Sequence, residues 1–130
     1  MKRVTGLGGI FFKTENPKKT KEWYARHLGL PVDEYGASFR WKEVDHPDAE
    51  FLALTAWSPF KSDTTYFHPS QKPFMINYRV ENLEELLKVL VEEGVQIVGT
   101  TEEYPYGKFA WIMDPDGNKI ELWEPKDAGF

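Results

Sequence analysis

Glu121 is the residue of this chain that is best placed to do chemistry. It follows a tight turn, Asp114-Pro115-Asp116-Gly117, in which proline presets one backbone dihedral and glycine supplies the positive φ that closes the turn. In the strand predicted after the turn, Ile120 and Leu122 face one side and Glu121 faces the other. Such a carboxylate can ligate a metal ion, act as a general base, or stand solvated on the strand. The spacing alone leaves these three interpretations open.

The elements that would position Glu121 are predicted by an internal repeat. Three segments of the first half return in order in the second: Phe12-Lys13-Thr14-Glu15-Asn16 as Tyr78-Arg79-Val80-Glu81-Asn82, Phe39-Arg40-Trp41 as Phe109-Ala110-Trp111, and Trp57-Ser58-Pro59 as Trp123-Glu124-Pro125. Each half therefore predicts a strand, a helix and three strands. We expect a single domain over residues 1–130, with module 1 at about 4–59, a polar connector at about 60–72 and module 2 at about 73–125.

Both predicted helices carry start and stop signals. The first, at 17–28, has Asn16 as its N-cap, Pro17 at its first position and Gly29 as its stop. The second, at 83–93, begins with a capping box of Asn82 and Glu85, and its leucines recur at helical spacing. These signals are local and predict the helix bounds closely.

Strand alternation divides the predicted sheet into a helix-covered face and an open face. The residues expected beneath the helices are Ile10, Phe12, Leu52, Leu54, Phe74, Ile76, Tyr78, Val80, Ile120 and Leu122. Those expected on the open face are Gly9, Phe11, Lys13, Phe51, Ala53, Thr55, Trp57, Met75, Asn77, Arg79, Glu121 and Trp123. The facing of Phe39, Trp41, Phe109 and Trp111 stays open, because Ala110 and Ile112 could be the helix-facing pair. An aromatic open face suits a ligand-binding cup, or a contact between sheets or subunits.

Composition excludes several classes of function. The chain has 130 residues, 41% of them hydrophobic, and no cysteine, which rules out a disulfide framework or a thiolate metal site. The net charge of −5 and the absence of a basic stripe argue against nucleic-acid binding. The apolar stretch near the N-terminus is too short for a signal peptide or a membrane span. We therefore expect a cytoplasmic protein with no membrane partner.

Two motifs resemble the vicinal oxygen chelate superfamily, which includes glyoxalase I, bleomycin-resistance proteins and extradiol dioxygenases. One runs from Asn16 through Trp23-Tyr24 to Leu28-Gly29-Leu30, and the other is Asp114-Pro115-Asp116-Gly117-Asn118 followed by Ile120-Glu121-Leu122. The resemblance implies an α+β fold of two tandem βαβββ modules whose eight strands form a curved mixed sheet, shaped as a cup. Two modules must pair to close one cup, either within one chain or across a dimer, and the sequence leaves this choice open. A two-fold homodimer is the default for this architecture.

The same resemblance implies a divalent metal at the cup floor, but this chain retains little of the site. The family's ligand positions fall on Gly9, on Ala53 or Thr55, on Met75 and on Glu121, of which Glu121 alone offers a suitable donor. The three histidines, His27, His46 and His68, stand outside the predicted cup strands. We therefore predict no metal cofactor. The alternative is a divalent metal that recruits other ligands, His68 first among them.

Three functions stay open at this point. The first is a metal-free protein that binds a small aromatic or apolar molecule through Phe11, Lys13, Thr55, Trp57, Asn77, Arg79, Trp111 and Trp123. The second is a lyase or isomerase of glyoxalase type, either metal-dependent or with Glu121 as the catalytic base. The third is an interaction module whose aromatic face is an oligomer contact.

Overall fold

The computed structural model describes residues 2–48 and 52–126. Across these ranges the chain forms seven strands and two helices, so the α+β prediction is confirmed. In chain order the elements are β1 (Val4–Thr14), α1 (Pro17–Leu28), β2 (Ala37–Trp41), β3 (Ala53–Lys61), β4 (Phe74–Val80), α2 (Leu83–Glu92), β5 (Ile97–Tyr104), β6 (Gly107–Met113) and β7 (Lys119–Pro125). None of the helices described is long and apolar enough to cross a membrane.

The prediction of eight strands is wrong for the described part of the chain, because module 1 has no counterpart of β5 there. The segment 29–36, which the repeat equates with the start of β5, is a loop. Pro31 in this loop has no N–H for a sheet ladder. The Asp33 side chain accepts hydrogen bonds from the N–H groups of Tyr35 and Gly36, at 2.8 and 3.0 Å. This local turn competes with strand pairing.

All the strands belong to one mixed sheet with the order β2-β3-β1-β4-β7-β6-β5. The two modules meet where β1 and β4 pair antiparallel, while β1 pairs parallel with β3 and β4 pairs parallel with β7. The sheet is therefore continuous through both modules of a single chain. A register shift at Leu7/Gly9 places one extra residue in β1 opposite Asn77. Such a bulge bends the strand.

The two helices differ in how they pack. The Asn16 side chain caps α1 and Gly29 ends it at φ 68°, as predicted. The Asn82 side chain caps α2, which ends at Glu92, one residue earlier than predicted. Helix α2 buries Leu83, Leu86 and Leu90 against β4, β6 and β7, whereas α1 contains no fully buried residue. Most of the helix-side core therefore lies in module 2.

Side-chain contacts decide which face of the sheet the residues of β6 and β3 occupy. Ala110 and Ile112 pack against α2, so Phe109 and Trp111 face the opposite side of the sheet. In β3 the predicted alternation is wrong by one residue: Leu54 lies on the open face, and the Trp57 ring contacts Tyr24 of α1 at 4.8 Å. Both faces of β3 are apolar, so alternation could not choose between them, and a slip of one residue exchanges the faces. Phe51 lies outside the described residues.

Candidate functional site

Glu121 lies at the centre of the open face and is almost completely buried. In the sheet register it stands directly beside Asn77 of β4 and Trp111 of β6. The Asn77 Nδ2 donates to Glu121 Oε1 at 2.7 Å, and the Trp111 Nε1 donates to Oε2 at 2.9 Å. Only 2% of Glu121 is exposed to solvent. The solvated-strand interpretation is therefore excluded, and the cost of burying the carboxylate is offset by hydrogen bonds.

A third donor to this carboxylate comes from the connector between the modules. The Tyr66 hydroxyl donates to Glu121 Oε2. Burial is the larger cause and the negative charge of Glu121 the smaller cause of a raised pKa of Tyr66. The phenol therefore keeps its proton and stays a donor. The next residue, Phe67, is completely buried. It packs with Met75 and Trp111 and anchors the connector on the open face of the sheet.

Lys119 holds the other side of Tyr66. Its Nζ donates to the Tyr66 backbone carbonyl at 2.8 Å and lies 5.4 and 5.5 Å from the centres of the Tyr66 and Trp111 rings. Burial lowers the pKa of Lys119, although the carboxylates of Glu121 and Glu102 oppose this effect. The lysine thus fixes the backbone that presents the Tyr66 hydroxyl to Glu121.

A cavity of about 440 Å³ opens beside these residues and draws its walls from both modules. Phe109 and Trp123 form one stacked wall, with ring centres 5.8 Å apart and ring planes 5° from parallel. Asn77 and Glu121 contribute polar groups, and Arg40 is the cation among the described lining residues. The lining residues are Gly8, Phe11, Ser38, Arg40, Leu54, Ala56, Asn77, Tyr106, Phe109, Glu121 and Trp123.

Four of the residues proposed from the sequence line this cavity, namely Phe11, Asn77, Glu121 and Trp123. The others are placed elsewhere. The Thr55 hydroxyl donates to the Leu7 carbonyl at 2.5 Å and accepts from the Trp41 indole at 2.9 Å. The Lys13 Nζ lies 5.7 Å from the centre of the Phe67 ring. Trp57 lies on the helix side of the sheet, so its predicted place in the site is wrong. Trp111 is not a lining residue and contributes to the site through its hydrogen bond to Glu121.

Arg79 is buried behind the Trp123 wall. Its guanidinium carbon lies 5.1 Å from the centre of the Trp123 ring and 5.6 Å from that of Trp41, and its Nη2 lies 3.8 Å from Glu43 Oε1. These contacts make Arg79 a support for the aromatic wall. Arg79 is not one of the cavity-lining residues.

Sequence reasoning missed Tyr66 and Arg40. Tyr66 lies in a connector with no periodicity, where its neighbour Phe67 was the available signal of burial. The repeat assigns Arg40 to the wrong face of the sheet, because it equates Arg40 with Ala110. Ala110 packs under α2, whereas Arg40 lines the cavity from β2.

Comparison with known proteins shows the family. A family model described as the glyoxalase/bleomycin resistance protein/dioxygenase superfamily matches residues 6–122. The chain belongs to this superfamily. No curated protein matches the sequence.

Several solved structures share the fold at low identity. Methylmalonyl-CoA epimerase from Mycobacterium tuberculosis is 20% identical with a TM-score of 0.61, and covers 97% of this chain and 91% of its own. The Streptomyces coelicolor epimerase in complex with 2-nitronate-propionyl-CoA is 12% identical with a TM-score of 0.68, covering 94% and 98%. The Mn(II)-bound glyoxalase from Novosphingobium aromaticivorans is 17% identical with a TM-score of 0.61, and covers 99% of this chain but 44% of its own.

The cup floor of this superfamily member does not fit a divalent metal ion. Three hydrogen-bond donors, an amide, an indole and a phenol, surround the Glu121 carboxylate. Of these, the amide and indole nitrogens have no lone pair to offer a metal. Met75 is completely buried in the aromatic cluster. Within residues 2–48 and 52–126, no three His, Cys, Asp or Glu side chains come close enough to hold an ion.

One polar atom of the floor has no hydrogen-bond partner among the described residues. The Asn77 Nδ2 is committed to Glu121, and the Asn77 Oδ1 faces Gly8. A Cβ at Gly8 would stand 2.0 Å from this oxygen, so glycine is what leaves room for the Asn77 amide. The absence of a side chain at Gly8 therefore lets the Asn77 amide take the orientation in which it donates to Glu121.

Proposed function

We propose that this superfamily member binds a small, flat and largely apolar molecule in its cup without a metal ion. The observation that carries the proposal is the cavity of about 440 Å³ beside the stacked pair Phe109 and Trp123. Phe11, Leu54 and Ala56 add apolar surface. A flat ring stacked on an aromatic side chain gains about 0.5–1.5 kcal/mol beyond the burial of area. Cavities of this size and lining are typical of small-molecule sites.

An acidic group on the ligand would meet Arg40. This arginine is exposed, lines the cavity, and forms no ion pair within the ranges that the structure describes. The two cations proposed from the sequence as ligand-binding residues, Lys13 and Arg79, are held against Phe67 and behind Trp123. A guanidinium binds a carboxylate through charge-assisted and often bidentate hydrogen bonds. The ligand class that fits is therefore a planar aromatic carboxylic acid.

The state of Glu121 supports binding over catalysis by this residue. Its two oxygens already accept hydrogen bonds from Asn77, Trp111 and Tyr66. Tyr66 and Trp111 both donate to Oε2, so acceptor capacity for a substrate proton remains on Oε1. Because 2% of Glu121 is exposed, a substrate has little access to that oxygen. A lyase or isomerase that uses Glu121 as its base is therefore the weaker proposal.

Calorimetric titration with 2-naphthoate and 2-naphthamide tests the proposal, because the two probes share a ring system and differ in charge. We expect the acid to bind at least about tenfold more tightly, as a charge-assisted hydrogen bond contributes about 1.5–3 kcal/mol. Arg40→Gln should remove this preference and leave the amide's affinity unchanged. Equal affinity of the two probes in the native protein would contradict the role of Arg40.

Two substitutions on the exposed edge strand β2 test the cavity itself. Ser38 lines the cavity, whereas its neighbour Phe39 points to the other face of the strand. Ser38→Trp should weaken both probes by about tenfold or more, and Phe39→Trp should not change either. Binding that survives Ser38→Trp would place the ligand elsewhere.

Metal analysis of protein purified without chelator should find no stoichiometric divalent ion. A cytoplasmic location stays a prediction.

A further inference from the structure

Two side chains, one from β2 and one from β3, hold β1 just before its register shift at the cup floor. The parallel ladder between β1 and β3 begins at Gly9, paired with Ala56, and continues to Thr14. Ahead of this ladder, the Thr55 hydroxyl donates to the Leu7 carbonyl at 2.5 Å. A side chain of β3 therefore extends the link between the two strands beyond the backbone pairing.

Trp41 of β2 holds both the Thr55 hydroxyl and the same stretch of β1. Its Nε1 donates to the Thr55 hydroxyl at 2.9 Å, so this hydroxyl is oriented by one donor and one acceptor. The Trp41 ring lies over Gly6, where an added Cβ would stand 2.3 Å from the ring. We name Trp41 and Thr55 the clasp. The clasp fixes β1 at Gly6 and Leu7, directly before the register shift at Leu7/Gly9.

The polar floor of the cup begins at the residue that follows this contact. Gly8 is covalently linked to Leu7, and the space above Gly8 is occupied by the Asn77 amide oxygen. The other atom of that amide, Nδ2, donates to Glu121 at 2.7 Å. A shift of the Leu7 carbonyl therefore changes the space in which the Asn77 amide is seated.

The aromatic wall of the cup also borders the clasp. Gly6 pairs with Arg79 in the sheet register. The Arg79 guanidinium carbon lies 5.6 Å from the centre of the Trp41 ring and 5.1 Å from that of the Trp123 ring. The clasp thus contacts Arg79 both through the neighbouring strand and through the Trp41 ring.

The clasp is the counterpart, in module 1, of a contact at the cup floor in module 2. The repeat equates Trp41 with Trp111 and Thr55 with Glu121, and in both pairs the indole Nε1 donates at 2.9 Å. In module 2 the acceptor is a carboxylate, whereas in module 1 it is a neutral hydroxyl that itself donates to the backbone. The pair in module 1 therefore holds a strand that carries the site.

We propose that Trp41 and Thr55 are positioning residues of the cup. They fix β1 and Arg79, and these in turn hold the Asn77 amide and the Trp123 ring. Neither clasp residue is one of the cavity-lining residues, so their effect on a ligand passes through these neighbours. The binding measurements for this proposal rest on the proposed function, and its spectroscopic measurement does not.

Thr55→Val keeps the shape of the side chain and removes the hydroxyl, so it tests the clasp directly. We expect 2-naphthoate to bind about fivefold more weakly by calorimetry, since the Leu7 carbonyl and the Trp41 indole each lose a partner. Thr55→Ser, which keeps the hydroxyl, should restore the native affinity. Trp41→Phe should weaken binding as well, and combining it with Thr55→Val should add little, because both act through one hydrogen-bonded chain.

Thr20→Val is the matched control. The Thr20 hydroxyl is hydrogen bonded to that of Thr14 at 2.6 Å, at the far end of β1 from the clasp. Its loss should lower the free energy of unfolding and leave the affinity for 2-naphthoate unchanged. Equal losses of affinity in Thr20→Val and Thr55→Val would overturn the proposal, because general destabilisation would then explain both.

The indole N–H signal of Trp111 in heteronuclear NMR spectra gives a measurement that needs no ligand. Trp111 donates to Glu121, so its signal reports the hydrogen bonds at the cup floor, and Trp111→Phe identifies it. Thr55→Val should shift this signal and Thr20→Val should not. An unshifted signal in Thr55→Val, or a failure of Thr55→Ser to restore affinity, would overturn the positioning role of the clasp. A native protein that binds neither naphthyl probe would overturn the proposed function alone, and the Trp111 signal would still test the clasp.

Discussion

Tyr66 and Glu121 are hydrogen bonded although 55 positions separate them in the chain. The connector that carries Tyr66 is anchored by the buried Phe67 and by Lys119, which donates to the Tyr66 carbonyl. The carboxylate at the cup floor is therefore held by three structural units: β4 through Asn77, β6 through Trp111 and the connector through Tyr66. The connector is part of the site, and its removal would leave the carboxylate with two donors.

Removing the Tyr66 hydroxyl should destabilise the protein. Tyr66→Phe takes a donor from a buried carboxylate, and we expect a loss of about 1–3 kcal/mol in the free energy of unfolding, measured with urea. Tyr104→Phe is the matched control, because Tyr104 also donates to a carboxylate, that of the exposed Glu102. It should cost less than about 0.5 kcal/mol. Equal losses in the two variants would mean that the Tyr66 contact has no special weight.

Stability should fall in alkaline solution because of Tyr66. Its folded-state pKa is raised, by burial and then by Glu121, above the ordinary value of 10.0. A group of this kind stabilises the fold fully below its unfolded pKa, and this contribution is lost as the pH rises above about 10, where the unfolded phenol ionises. We expect the unfolding free energy to drop between about pH 9 and 11 in the native protein and to drop less in Tyr66→Phe. Parallel profiles for the two proteins would contradict this linkage.

Removing the negative charge of Glu121 should strengthen the binding of an acidic ligand. Glu121→Gln keeps one oxygen for Tyr66 and Trp111, and the Asn77 amide can turn to accept from the new amide group. The fold should survive, with a loss of about 1–3 kcal/mol in unfolding free energy because charge-assisted hydrogen bonds are replaced by neutral ones. With the negative charge removed, 2-naphthoate should bind several-fold more tightly by calorimetry, and 2-naphthamide should change little. Weaker binding of 2-naphthoate by the variant would show that the Glu121 carboxylate itself contributes to binding.

Gly8 and Asn77 should be energetically coupled. Gly8→Ala places a Cβ in the space that the Asn77 Oδ1 occupies, so the amide must move and we expect a cost of about 1–3 kcal/mol. In an Asn77→Ala background the same substitution should cost much less, since the obstructing oxygen is gone. Urea unfolding of both single variants and the double variant measures the coupling. Additive losses would show that Gly8 is needed for another reason.

Much of this fold could be predicted from the sequence because its signals are local. Asn16, Pro17 and Gly29 bound α1 at 17–28, and the predicted residues agree with the structure. The turn that precedes Glu121 also forms, closed by Gly117 at φ 83° and by hydrogen bonds to Asp114. Each of these features depends on side chains that contact their own backbone within a few residues, so a single sequence contains the necessary information.

The sequence by itself determined the two helices, the repeat, and the placement of Glu121 and Asn77 on the open face of the sheet. The tertiary structure decided the rest. It turned Trp57 towards α1 and Leu54 into the cavity, because β3 is apolar on both faces and the packing of α1 selects one of them. It also brought Tyr66 to Glu121, since a connector without periodicity takes its position from the cluster in which Phe67 is buried.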